Sequence, residues 1–228
     1  MVQTKEELAK YFDHTQLNSV ATESDIRVLC DQAVRYEFYS ACVQARWVGL
    51  CADILHGTGV KVVSVAGFPF GTDSPAIKAM QAKEVIMAGA DEVDMVADLA
   101  AIISGDEKVL RTDIQSVLDV CRSLSPAVVL KVIIEAQALT TDQIRFACAV
   151  AQSVGADFVK SSTGFHSSGG ARLEDVRLMV ESAPGCKVKA SAAIRTLEQT
   201  LSFIEAGAVR IGSSSSVQIM EEFIAAHG

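Results

Sequence analysis

"AGADEVDMV", residues 88–96, runs from a helix end through Gly-Ala into an apolar strand. The chain repeats the pattern as "VGADFVKSS" at 154–162 and "AGAVRIGSS" at 206–214. Glycine suits a helix stop because it enters the left-handed region without steric cost. The runs that follow lack clean alternation, which reads as strands buried on both faces. These strands fall at 91–96, 157–162 and 208–212. Five further runs of the kind are "YFDHT" (11–15), "YSACV" (39–43), "KVVSVA" (61–66), "VVLKVII" (128–134) and "KVKAS" (187–191). Between them lie helical stripes: Ile26, Leu29, Cys30, Ala33, Val34; then Trp47, Leu50, Cys51, Ile54, Leu55; then Leu110, Ile114, Val117, Leu118, Cys121. Capping boxes at Thr22/Asp25, Thr140/Gln143 and Thr196/Gln199 start helices, and Gly89, Gly155 and Gly207 end them.

Alternating β and α units imply a parallel sheet with right-handed crossovers. Eight strands in 228 residues, with no Pro/Gly/Ser-rich linker, predict one domain over 1–228, a closed (β/α)8 TIM barrel. A doubly wound open sheet is the competing fold, but no G-x-G-x-x-G follows the first strand.

Half of the chain is hydrophobic and the formal charge is −8, which opposes non-specific nucleic-acid binding. The acidic start "MVQTKEELAK" is no signal peptide, and no run nears the roughly 18 apolar residues of a membrane span. Six scattered cysteines without a C-x-x-C pair argue against a disulfide framework or metal site and for a cytoplasmic protein.

In a parallel barrel, the C-terminal strand ends carry the active site. Three ionisable residues fall on such strands: Asp94 on the fourth, Lys160 on the sixth and Lys189 on the seventh. Strands six and seven are neighbours, so the two lysines are expected to meet. The competing reading makes Asp94 a buried structural acid and lets Lys187 or Lys189 reach the bottom rim, where Lys131 is also placed. A free lysine has a pKa near 10.4, so at pH 7 only about one in 2,500 is the nucleophilic amine. Burial and a second ammonium both disfavour the charged form. A pKa of about 7 would raise the amine fraction roughly a thousandfold. Asp94 opposes that shift if ionised beside Lys160, and is therefore expected near Lys189 as a proton carrier.

At these residues the chain resembles the deoxyribose-phosphate aldolase family. The likeness runs through "DHTQL" (13–17), "GFPFG" (67–71), "GADEVDMV" (89–96), "KVIIE" (131–135), "GADFVKSSTGF" (155–165), "VKAS…IRT" (188–196) and "RIGSSS" (210–215), in order along the whole chain. It implies a (β/α)8 barrel that reversibly cleaves 2-deoxy-D-ribose 5-phosphate to acetaldehyde and glyceraldehyde 3-phosphate, with no metal and no organic cofactor. It implies Lys160 as the Schiff-base lysine, Lys189 as the group that lowers its pKa and takes part in proton transfer, and Asp94 as proton donor and acceptor through a water. Partners would be small aldehydes and sugar phosphates; self-association into a homo-oligomer is left open.

The likeness breaks at the phosphate loops. The family pattern "KASGGIRT" is "KASAAIRT" here, so Ala192 and Ala193 stand where glycine amides would approach a phosphate. Ser216 ends "GSSSS" where glycine is usual, and "CVQARWV" and "DMVADLAAI" also depart. Either phosphate is still held, through Gly164, Gly212, Ser213, Ser214 and Ser215, or the chain is an engineered or diverged aldolase favouring unphosphorylated aldehydes. A non-catalytic sugar-phosphate-binding barrel is the rival class. A proton-transfer isomerase using Glu135 and a histidine is the rival enzyme. His14 and His166 read as structural, Cys42 as core, and Glu135 as undecided.

Overall fold

The computed structural model describes residues 2–123 and 126–227. In chain order the elements are α1 (Lys5–Ala9), β1 (Phe12–Gln16), α2 (Glu23–Arg35), β2 (Ser40–Val43), α3 (Val48–Leu55), β3 (Lys61–Ala66), α4 (Pro75–Met87) and β4 (Glu92–Val96). Then come α5 (Leu99–Ser104), α6 (Glu107–Arg122), β5 (Val129–Ile133), α7 (Thr141–Val154), β6 (Phe158–Lys160), α8 (Leu173–Ser182), β7 (Lys187–Ser191), α9 (Leu197–Glu205), β8 (Arg210–Ser213) and α10 (Ser216–His227). The eight strands pair in parallel, in sequence order, and β8 closes on β1. The expected (β/α)8 barrel is therefore the fold.

The local signals act as read. Thr22, Thr140 and Thr196 each cap a helix in a reciprocal box with Asp25, Gln143 and Gln199. Such a box satisfies two backbone donors that the first helical turn leaves free. Gly89 has φ +108°, and a Cβ there would lie 2.6 Å from that of Ala52. Glycine is required at that position on both counts. Two helical stripes stop short of expectation. Trp47 belongs to a 3-10 turn before α3, and Val34, on the last turn of α2, is exposed.

The main apolar core lies between the outer barrel wall and the helices, from Leu8 and Phe12 to Met220 and Phe223. Inside the barrel the composition changes. A small separate cluster joins Leu17, Cys42, Val63 and Val65, and much of the remaining interior is charged. Many barrels fill this space with layers of branched apolar side chains. The replacement of those layers by ions is what positions the site.

Candidate active site

Four cations, Lys131, Lys160, Lys189 and Arg210, and three carboxylates, Asp13, Glu92 and Asp94, are buried together in the barrel. The strand register explains the grouping. Lys160 pairs with Lys189 across β6 and β7, and Asp94 pairs with Lys131 across β4 and β5. Alternation along each strand then turns these residues to the same inner face. Buried charge is tolerated only when paired and hydrogen-bonded, and the pairing here is dense. Asp94 Oδ2 accepts from Lys160 Nζ at 2.8 Å and Lys189 Nζ at 2.7 Å, while Oδ1 accepts from Lys131 Nζ at 2.8 Å. Lys189 Nζ also donates to Asp13 Oδ2 at 2.5 Å.

The three sequence-predicted residues thus meet, with one correction. Asp94 is a direct partner of Lys160 and not a carrier confined to Lys189. Its charge is divided among three lysines, which lets it touch Lys160 without fixing a proton there. Burial pushes the Lys160 pKa down, Asp94 pulls it up, and Lys189 pushes it down again, for a net lowering. At Lys189 burial acts in the same direction, but Asp13 and Asp94 outweigh it and the pKa is raised. Burial alone would raise the Asp94 pKa, but Lys131, Lys160 and Lys189 hold it well below the usual carboxylate range. Among the four cations, Lys160 has one carboxylate oxygen, shared, and is the residue that opens onto the cavity.

A second correction concerns Lys131. It is fully buried, and bridges Asp94 and Glu92 at 2.8 and 2.5 Å, where the sequence reading had it at the rim. Burying it costs less than exposure arguments imply because two carboxylates meet it. The rim role falls to Lys187, which is exposed, with its ammonium 5.7 Å from the Phe158 ring. Asp13, Glu92 and Arg210 were not anticipated as part of the site. The signal available was an acidic or basic residue inside each of three apolar strand runs.

The cavity above Lys160 has a volume of about 550 Å³. Gly164, Ala192, Ala193, Gly212, Ser213 and Ser214 line it, as does Arg195, a guanidinium that the sequence reading left out. Ser215 is not among its lining residues. The Ser213 hydroxyl donates to the Ile194 carbonyl at 2.7 Å and accepts from the Ser215 amide at 2.9 Å, so it serves the loop. Gly212 makes room for Lys189, since a Cβ there would lie 3.0 Å from Lys189 Cε. Ala192 and Ala193 have φ of +76° and +59°, the left-handed region that favours glycine. The Ala192 methyl stands 3.3 Å from where a Cβ on Gly164 would be, between the sixth and seventh loops.

Glu135 is buried and braces the sixth loop. It accepts from the Thr163 hydroxyl at 2.6 Å and the Thr163 amide at 3.2 Å. It meets no histidine: His14 bonds Gln32 at 2.9 Å and His166 bonds Ser168 at 2.7 Å. The isomerase constellation is therefore not assembled. Cys42 belongs to the apolar cluster inside the barrel, and burial pushes its thiol up to about 11.

A pH prediction follows from the lysine pair. Replacing Lys189 with leucine removes one ammonium and leaves Asp94 Oδ2 to Lys160 alone. Both changes favour the protonated form of Lys160. The acidic limb of kcat/KM should move to higher pH, with at least about a tenfold loss near pH 7, since each pKa unit is a factor of ten in amine. An unchanged profile at normal rate would remove Lys189 from the chemistry.

Residues 7–220 match the DeoC/LacD family of aldolases. The chain is 46% identical over 220 residues to the deoxyribose-phosphate aldolase of Caldicellulosiruptor saccharolyticus, covering 96% of this chain and 99% of the relative. It is 46% identical over 218 residues to that of Thermococcus gammatolerans, covering 94% and 96%. Among solved structures, the tetrameric deoxyribose phosphate aldolase of Aeropyrum pernix superposes with a TM-score of 0.90 at 32% identity, covering 98% of this chain and 93% of that one. An aldolase designated QR15 superposes with a TM-score of 0.89 at 37% identity, covering 96% and 97%.

Proposed function

Because this chain belongs to the DeoC/LacD family of aldolases, we propose that its buried lysine cluster performs reversible cleavage of 2-deoxy-D-ribose 5-phosphate through a Schiff base on Lys160. The enzyme is a lyase, and its products are acetaldehyde and glyceraldehyde 3-phosphate. One observation carries the assignment of the nucleophile. Four buried cations face three carboxylates, and Lys160 is the least compensated of the four. An interior that cannot reach water neutralises its surplus charge by losing a proton, and Lys160 is where that loss costs least.

The steps follow from the geometry. The Lys160 amine attacks C1 of the open-chain sugar, and loss of water gives a protonated imine. Removal of the proton from the C3 hydroxyl lets the C2–C3 bond break towards the imine, which takes the electron pair as an enamine. Glyceraldehyde 3-phosphate leaves. Asp94, through a water, accepts the hydroxyl proton and later returns one to the enamine carbon. Lys189 stays charged beside it and steadies the carboxylate. Hydrolysis releases acetaldehyde and the free amine. No metal or organic cofactor enters these steps.

The phosphate is held, more weakly than by a Gly-Gly loop, where the sixth, seventh and eighth loops meet. Gly164, the Ala192–Ala193 backbone, Arg195 and Ser214 supply the donors. Small aldehydes and sugar phosphates are the partners and the compartment is the cytoplasm; the tetrameric Aeropyrum pernix enzyme supports a homo-oligomeric assembly. Cleavage is tested by coupling triose phosphate release to a dehydrogenase and following NADH at 340 nm. Signal from deoxyribose 5-phosphate supports the reading; none from folded protein at saturating substrate refutes it.

A further inference from the structure

Glu92 and Arg210 are buried charges with no part in those steps. Glu92 opens β4 and Arg210 opens β8, whereas Lys160 ends β6, so both lie at the opposite end of the barrel from the cavity. Arg210 Nη1 donates to Asp13 Oδ1 at 2.8 Å and to Glu92 Oε2 at 3.2 Å, and its guanidinium lies 3.4 Å from the Tyr39 ring centroid. The Tyr39 hydroxyl donates to Glu92 Oε1 at 2.9 Å. Each group is one residue removed from a neighbour of the nucleophile. Glu92 holds Lys131, which holds Asp94; Arg210 holds Asp13, which holds Lys189. Other charges at that end lie at or near the surface: Lys187 and Lys61 are exposed, with Lys61 paired to half-buried Asp91 at 3.1 Å, and exposed Arg122 is paired to half-buried Asp157 at 2.9 Å. Lys160 itself faces Asp94 and Lys189, with the Cys42 thiol a further neighbour.

Charges in a water-poor interior are weakly screened, so a unit change at one end is felt at the other. We propose that Glu92 and Arg210 are positioning residues that set, from the far end of the barrel, the charge balance under which Lys160 gives up its proton. This rests on Lys160 being the nucleophile. The two act with opposite sign. Glu92→Gln removes a negative charge and makes the ammonium less favourable, so the amine persists to lower pH. Arg210→Met removes a positive charge and has the reverse effect. The double variant restores the net charge.

The test is borohydride trapping of acetaldehyde on the full-length protein across pH, read by mass spectrometry, with Lys160 identified by peptide mapping. The acidic midpoint should fall by about 1.2 units in Glu92→Gln and rise by a similar amount in Arg210→Met. One unit charge acting over about 10 Å at an effective interior dielectric of about 20 gives that size. The double variant removes one charge of each sign, so its midpoint should lie between those of the two single variants; the 3.2 Å contact between the two residues keeps the cancellation from being exact. If Arg210→Met does not fold, Tyr39→Phe, which takes the positive end of a hydroxyl dipole from Glu92, should move the midpoint up by a smaller, measurable step. Loss of packing alone would not give opposite signs with cancellation. Shifts in one direction, or none in any folded variant, overturn the inference. Absence of an adduct on Lys160 in the wild type instead overturns the assignment of the nucleophile.

Discussion

Lys160→Ala and Lys160→Arg are expected to abolish turnover, by more than about a thousandfold, with the barrel still folded. The loss exceeds the amine fraction alone because no iminium forms and the methyl carbon stays unreactive. Lys189 cannot substitute. It lies beside the same carboxylate, but Asp13 and Asp94 raise its pKa and keep it an ammonium. Arginine keeps the charge and the bond to Asp94, yet is protonated at any accessible pH. The stability result separates this lysine from its neighbours. Removing Lys160 leaves three buried cations facing three carboxylates, so Tm should not fall in the alanine variant. Removing Lys131 would leave Asp94 Oδ1 without its donor and Glu92 with Arg210 and Tyr39 alone, and should cost about 3 kcal/mol, the low end for breaking buried pairs. Thermal unfolding and the coupled assay read both. Near-wild-type turnover in either Lys160 variant removes it as nucleophile.

Glycine at positions 192 and 193 should selectively improve the phosphorylated substrate. Both alanines hold left-handed backbone, and each costs about 1–2 kcal/mol there. The Ala193 methyl also fills the space beside Gly170, where an added Cβ would lie 2.7 Å from it. With glycine the backbone amides approach a phosphate more closely. One charge-assisted hydrogen bond is worth about 1.5–3 kcal/mol, so KM for deoxyribose 5-phosphate should fall tenfold to a hundredfold. KM for free deoxyribose should hardly change. Added freedom of the unfolded chain takes back about 0.4–1 kcal/mol per glycine. Relief of strain exceeds that, so Tm should rise by a few degrees. Equal effects on the two sugars would place the anion site away from this loop.

The fold was legible because its signals are local. A helix stop at Gly89, a box at Thr140 and an apolar run after each need no knowledge of distant residues. Lys160, Asp94 and Lys189 were legible because an ion inside an apolar strand is costly and asks for a reason. Other parts of the site depend on barrel closure. Asp13 meets Lys189 across 176 positions of sequence, and only the β8–β1 pairing brings them together. Lys131 was assigned to the rim because position along a strand does not reveal which carboxylates lie opposite. Ala192 and Ala193 were legible as departures because they stand where the family pattern has glycine, but their φ values are a property of the loop and appear only in the structure.

The most direct test of the account is where an aldehyde becomes attached. Incubation with acetaldehyde and sodium borohydride reduces any imine to a stable secondary amine. The account predicts one ethyl group per chain, on Lys160, formed by the wild type near pH 7 and absent from Lys160→Arg. An adduct on Lys189 or Lys131, or none on the folded wild type, would contradict it.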